Sequence, residues 1–369
     1  MPDTPTFLPR DSLQALLNIL VQQGYRCIGP QLREGAIVYE PLHHVAALPA
    51  GVRVTQAPGS YRTGQTGDAR QFAWANGPQA LKPLLFAPQE PMWRARRTET
   101  GFTVETSIPE TGPLAVIGVR ACDLAALAIQ DRIFLQRENP DPYYAARRAG
   151  LFLVAVNCTH PAATCFCAST GDGPGASHSF DIALTELEQG FVSEAGSERG
   201  AAVLRELALY AASVADTEAA HQAVEHAAHV QTRSLPGRNL RDQLFANLDH
   251  PRWDEVAQRC LSCGNCTLVC PTCFCHAQTE VPTLDGLSSV HQRQWDSCFT
   301  EGHGYIHGVQ LRPEIRQRYR QWLTHKLGSW HDQFGRSGCV GCGRCIAWCP
   351  VGIDLTAEAQ VICGGADAA

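Results

Sequence analysis

The chain has 369 residues, 44% apolar and 18% charged, enough for two or three domains with their own cores and no need of disulfide staples. A formal charge of −6 excludes the strong basic excess of a nucleic-acid-binding surface. The start lacks the basic, apolar and small-residue pattern of an export signal, and no later run reaches the roughly eighteen apolar residues of a membrane span, so the expectation is a cytoplasmic protein with no membrane span.

DSLQALLNIL sets Leu13, Leu16, Leu17 and Leu20 on one helical face behind Asp11 as a cap, and AIVYEPL (36–42) reads as a short strand. PLAVIGV (113–119) reads as a buried strand, DLAALAIQDRIFL (123–135) as a helix and GLFLVAVN (150–157) as a second buried strand. Together they predict a right-handed parallel βαβ core within an α/β domain over 1–195. Residues 196–250, rich in Ala, Leu, Glu and His and broken at SLPGRN (234–239), predict a helical connector. PEIRQRYRQWLTHKL (313–327) predicts a helix with Pro313 in its first turn and Ile315, Tyr319, Leu323 and Leu327 on one face. Arg312, Arg316, Arg318, Arg320 and Lys326 read by default as a solvated face, with an effect on cluster potentials or on an acidic partner as the alternative. The segment 251–369 is expected to be all-helical.

The seventeen cysteines bunch at ligand spacing in a long chain, so they read as reduced and mostly metal-bound. One motif is Cys260-x2-Cys263-x2-Cys266-x3-Cys270-Pro271, and its copy is Cys339-x2-Cys342-x2-Cys345-x3-Cys349-Pro350. In this ferredoxin spacing three cysteines wrap one cubane and the fourth reaches the neighbouring cluster. Crossing therefore assigns Cys260, Cys263, Cys266 and Cys349 to one [4Fe-4S] cluster, and Cys339, Cys342, Cys345 and Cys270 to the other. Two structural zinc sites compete with this reading, but zinc usually takes separate two-cysteine knuckles.

TCFC occurs twice, at 164–167 and 272–275. In the βαβ unit Cys122 lies beyond the first strand at a helix N-terminus and Cys158 just beyond the next, and the following loop can return Cys165 and Cys167 to the same crevice. These four could hold a third cluster, favoured by the helix N-terminus and Arg120. Equally, Cys122 and Cys158 could be small buried core residues. Cys273, Cys275 and Cys298, near His303 and His307, could form a further site, although such residues in a Gly-rich loop often only pack. Cys27 and Cys363 receive no role. GDGPGA (171–176) does not link a strand to a helix as a dinucleotide fingerprint should, and neither HExxH nor GxSxG is present, so no independent catalytic site is read.

GVRACDLAAL, NCTHPAATCFC, CLSCGNCTLVCPTCFC, WDSCFTEG and YRQWLTHKLGSWHDQFGRSGCVGCGRCIAWCPVGIDL follow one another over most of the chain. In these segments the chain resembles the beta subunit of soluble cytoplasmic sulfhydrogenases and the related A subunit of anaerobic sulfite reductase. The resemblance implies an α-helical ferredoxin fold for 251–369. It also implies a carrier that passes electrons between a flavin- and NAD(P)H-binding subunit and a catalytic subunit, either a nickel-iron hydrogenase or a sirohaem sulfite reductase. A hydrogenase partner is the leading expectation. A sulfite reductase partner, a catalytic disulfide or sulfur reductase built on the extra cysteines, and a zinc-stabilised interaction module are the alternatives.

Overall fold

The computed structural model describes residues 4–364. Eight strands form one mixed sheet: Thr6–Pro9, Arg26–Arg33, Ala36–Pro41, Leu114–Val119, Leu151–Val156, Ile182–Glu186, Gly190–Ala195 and Tyr210–Ala211. Its centre is parallel. Leu114–Val119 runs between and parallel to Arg26–Arg33 and Leu151–Val156, and Ile182–Glu186 continues the parallel set on the far side of Leu151–Val156. The flanking pairs are antiparallel.

Period-two alternation in the central strand sets the layers. Ala115 and Ile117 point into the core formed with Leu13, Leu16, Leu17 and Leu20 of the helix Leu13–Gln22. Leu114 and Val116 point to the opposite core, covered by Leu124, Ile129 and Ile133 of the helix Ala121–Phe134. The expected βαβ unit is therefore present, with a further helix, Pro142–Ala149, completing the crossover. Asp11 does not cap the first helix: it sits in the 3-10 turn Arg10–Ser12, and the helix starts with no side-chain cap bond. The segment after 196 carries the helices Glu198–Glu206, Val214–His229 and Arg241–Ala246, but also the edge strand Tyr210–Ala211.

A separate core gathers Leu244, Trp253, Val256, Tyr319, Trp322, Leu323, Leu327 and Leu355 from the helices of the second half. The predicted helix at 313–327 runs Ile315–Thr324, opened by a capping box between Glu314 and Gln317, and then widens into a π turn at His325–Ser329. The all-helical expectation for 251–369 is corrected. His276–Pro282 and Ser288–Trp295 form a hairpin that pairs onward with Gln89–Thr98, itself paired with Gly101–Thr106, in a four-stranded antiparallel sheet. The physical cause is an Asp285-Gly286 turn, with Gly286 at φ +66°, between alternating segments. The two halves thus share one sheet. Among the described residues no helix is long and apolar enough to cross a membrane.

Candidate metal centres

The two cysteine motifs fold alike. In each, the second residue after the first cysteine adopts a left-handed conformation, Ser262 at φ +53° and Gly341 at φ +63°, as does the fourth, Gly264 at +74° and Gly343 at +72°. These two reversals curl the loop so that backbone amides turn inward. Ser262 N–H donates to Cys260 Sγ at 3.4 Å and Gly341 N–H to Cys339 Sγ at 3.5 Å. Ile353 N–H donates to Cys349 Sγ at 3.3 Å. Amides aimed at sulfur stabilise thiolate, which is the form that binds metal.

Cys260, Cys263, Cys266 and Cys349 line one cavity, closed by Phe299, Tyr319 and Trp322, with Cys345 on its wall. Burial first, and then Cys260, Cys349 and Cys263, push the Cys266 thiol well above its ordinary value. Cys345 is raised likewise by burial and then by Cys339, Cys342, Cys270 and Cys266. Cys349 therefore stands with the first triplet and Cys270 with the second, while Cys345 and Cys266 connect the two groups. Burial of these two thiols favours their protonated form whereas metal binds the thiolate, so metal loading releases protons there and weakens as pH falls.

The third group, Cys122, Cys158, Cys165 and Cys167, lines its own cavity, called the third cavity below, with Asn76, Arg120 and Pro174, and Cys342 of the second motif forms part of its wall. Cys122 opens the helix after one central strand, and Cys158 follows the next. The loop from 158 then folds back so that the helix Cys167–Thr170 lies over the crevice. GDGPGA, which carried no assignment in the sequence, closes this site: Cys158 N–H donates to Pro174 O at 3.1 Å, and a side chain at Gly173 would meet Cys167 Sγ at 3.0 Å. Gln231, from the connector, bonds Cys167 through Nε2 at 3.4 Å. Neither Gln231 nor Asn76, whose Nδ2 lies 3.2 Å from Cys122 Sγ, carries a sequence signal that marks it.

Three buried cations test whether these residues suit anionic thiolate-bound clusters. Arg120, Lys82 and Lys326 are 2%, 4% and 6% exposed, and none pairs with a carboxylate among the described residues. Arg120 stacks on Trp74 at 4.2 Å, bonds only backbone carbonyls, and leaves Nε without a partner beside the third group. Lys326, carried on the π turn, donates to Cys270 Sγ at 3.3 Å and to Thr272 Oγ1 at 3.1 Å. Lys82 donates to Thr267 O at 3.3 Å and sits near Cys273 and Cys270. Burial disfavours the Lys326 charge, yet Cys270, Cys273 and Cys339 outweigh it and hold the amine well above its ordinary value. Unpaired buried cations are costly, and negative clusters ligated by the adjacent thiolates would supply the missing countercharge. The residues fit the group.

The solvated-face reading of the 313–327 helix holds only in part. Arg316 and Arg320 reach Asp254 and Asp249, but Arg318 is buried against the Arg312, Pro313 and Phe299 carbonyls and Lys326 against Cys270. Cys273 partners Cys270, whereas Cys275, Cys298 and His303 form a separate trio; His307 lies in an exposed turn outside it. Cys27 is buried within a strand, and burial raises it to about 11.

The second motif docks on the TCFC segment through glycine. Phe166 N–H donates to Gly341 O at 2.8 Å, and an added Cβ would lie 2.5 Å from Cys167 N at Gly341 and 2.4 Å from Thr164 O at Gly343. Gly343→Ala is expected to cost about 1–2 kcal/mol for the left-handed backbone alone, with the clash added. It should also lower the iron content of the chain. Ser262→Gly, at the position equivalent to Gly341 in the other copy, loses the Ser262 Oγ bond to Phe299 O at 2.9 Å but relieves a left-handed non-glycine backbone, and should leave both quantities nearly unchanged. Thermal denaturation and iron analysis of the two variants check this, and equal behaviour would refute the docking role.

The family described as 4Fe-4S dicluster domain matches residues 259–353. Sulfhydrogenase 2 subunit beta of Pyrococcus furiosus is 32% identical over 276 residues, covering 74% of this chain and 79% of that protein. No solved structure matches. With the paired motifs inside the matched segment and the likeness spread over most of both chains, the chain belongs to the sulfhydrogenase beta-subunit family and is an iron-sulfur protein with a 4Fe-4S dicluster domain.

Proposed function

We propose that this iron-sulfur electron-transfer subunit relays single electrons between a flavin- and NAD(P)H-binding subunit and the catalytic subunit of a nickel-iron hydrogenase. The observation that carries the reading is the continuous file of thiol groups. Cys342 belongs to the second motif and also walls the third cavity, while Cys345 joins the second motif to the first. In this reading Cys260, Cys263, Cys266 and Cys349 hold one [4Fe-4S] cluster, Cys339, Cys342, Cys345 and Cys270 a second, and Cys122, Cys158, Cys165 and Cys167 a third. Such clusters supply one-electron oxidation and reduction with little rearrangement.

The chain's own residues set charge and access. Arg120, Lys82 and Lys326 favour extra negative charge along the file, and the aromatic wall of Phe299, Tyr319 and Trp322 covers the buried side of the first motif. Cys263 is exposed and Leu261 beside it is 63% exposed, which makes this end a place where a partner's redox centre can approach. The family likeness to a sulfhydrogenase subunit supports the choice of a hydrogenase over a sulfite reductase.

Anaerobic assembly of the chain with candidate partner subunits tests the proposal. NAD(P)H-driven hydrogen evolution should require this subunit and should fall at least about 100-fold on Cys349→Ser, because a broken file leaves the two terminal sites unconnected. Assembly solely with a sirohaem subunit, or turnover of a disulfide by the isolated chain, would overturn it.

A further inference from the structure

A group of ligands outside the cluster file has its own geometry. Cys275, Cys298 and His303 place one ligand atom each within 4.8 Å of one another. Cys275 Sγ and Cys298 Sγ are 3.7 Å apart. A tetrahedral zinc ion with zinc-sulfur bonds of about 2.3 Å holds its thiolates about 3.8 Å apart. Sulfurs on different irons of one cubane stand farther apart than this. Among the described residues no three cysteines of the paired motifs or the third cavity meet the same closeness, as cluster ligands need not. The trio is spaced for one ion.

His303 is also oriented for the task. Asp296 Oδ2 accepts from His303 Nδ1 at 2.6 Å, which fixes the ring tautomer and leaves Nε2 as the nitrogen free to bind an ion within the trio. A carboxylate behind a ligating histidine is the usual support of a zinc-bound imidazole. Asp296 is itself held in place, since its backbone N–H donates to Cys275 O at 3.0 Å.

We propose that Cys275, Cys298 and His303 bind a single zinc ion, with Asp296 positioning the histidine. Cys275 and Cys298 bind as thiolates and release their protons to solvent, and His303 binds as neutral imidazole through Nε2. The fourth position faces the cavity lined by Cys273, Trp322 and Lys326. Cys275 immediately precedes the hairpin His276–Trp295 and Cys298 follows it, so the ion closes the base of the hairpin that joins the two halves of the chain in one sheet. The site does not depend on which partner the electron relay serves.

The test is zinc and iron analysis of the anaerobically purified full chain, together with Cys298→Ser and Asp296→Asn. The wild type should carry about one zinc beside its iron. Cys298→Ser should lose the zinc and keep the iron. Asp296→Asn, which changes no ligand and spares the fold, should release zinc to a chelator at roughly 10- to 100-fold lower concentration. A wild type loaded with iron but free of zinc would overturn the proposal, as would iron loss in Cys298→Ser or an unchanged chelator titration in Asp296→Asn. Because zinc is read separately from iron, failure here leaves the relay reading standing, and failure of the relay reading leaves this site standing.

Discussion

Asp123→Ala is expected to destabilise the folded chain by about 3–5 kcal/mol, the range found when one partner of a buried ion pair is removed. Asp123 and Arg344 are each 2% exposed, and the guanidinium binds the carboxylate through both ends at 2.8 and 3.0 Å. Arg344 Nε also donates to Gly77 O at 2.9 Å, so the arginine has no route to water when its partner is lost. The pair joins the helix that carries Cys122 to the second motif, where Cys342 precedes the short helix Arg344–Ala347 that carries Cys345. Loss of the carboxylate should therefore loosen the contact between the third cavity and the second motif as well as lower stability. The double replacement Asp123→Leu with Arg344→Met should recover much of the loss, because no charge is then left buried. Denaturant unfolding of the two variants gives the comparison. A loss under about 1 kcal/mol for Asp123→Ala would place the pair with exposed ion pairs and contradict this account.

Lys326→Gln is expected to lower the reduction potential of one cluster by on the order of 100 mV, from the loss of a unit charge a few ångströms away in a medium of intermediate polarity. The sign follows from charge. Reduction adds an electron to an already negative cluster, and a cation 3.3 Å from Cys270 Sγ favours the more negative state. Glutamine keeps a donor toward Thr272 and Gly338 O, so the replacement removes charge more than hydrogen bonding. Arg199→Gln is the control, since that guanidinium binds Leu151 O and Asp181 at the end of the strand Leu151–Val156 away from Cys158 and the cysteine motifs. A redox titration followed by electron paramagnetic resonance should show one shifted step out of the series in Lys326→Gln and none in Arg199→Gln. A Lys326→Gln titration superimposable on the wild type would show that the lysine does not act on a cluster.

The elements most legible in the sequence were those with one dominant period. LAVIGV and LFLVAV read as buried strands because both faces of a central parallel strand are apolar, and the Leu13–Leu20 stripe read as a helix for the matching reason. The hairpin over 276–295 was masked by its polar composition and by its position between two metal motifs. Its Asp285-Gly286 turn was nonetheless a usable signal, as was the alternation in MWRARRT and FTVET across from it. Spacing alone brought out the eight paired cysteines. The grouping of Cys122, Cys158, Cys165 and Cys167 needed the βαβ topology in addition, since those residues lie on separate loops. The buried Lys82, the closing loop GDGPGA and Gln231 were beyond sequence reading, and an action of Lys326 on a cluster stood only as the alternative to a solvated face, because these roles come from packing between segments far apart in the chain. Lys326 in particular looks in sequence like one more charge on a basic helix, and only the π turn at His325–Ser329 directs it inward.

Iron and acid-labile sulfide content of the anaerobically purified chain tests the central claim most directly, provided Cys122→Ser is measured alongside. Three cubanes predict about twelve irons per wild-type chain and about eight in the variant. About eight in both would leave the crevice at the sheet's edge without a cluster and contradict the three-centre file.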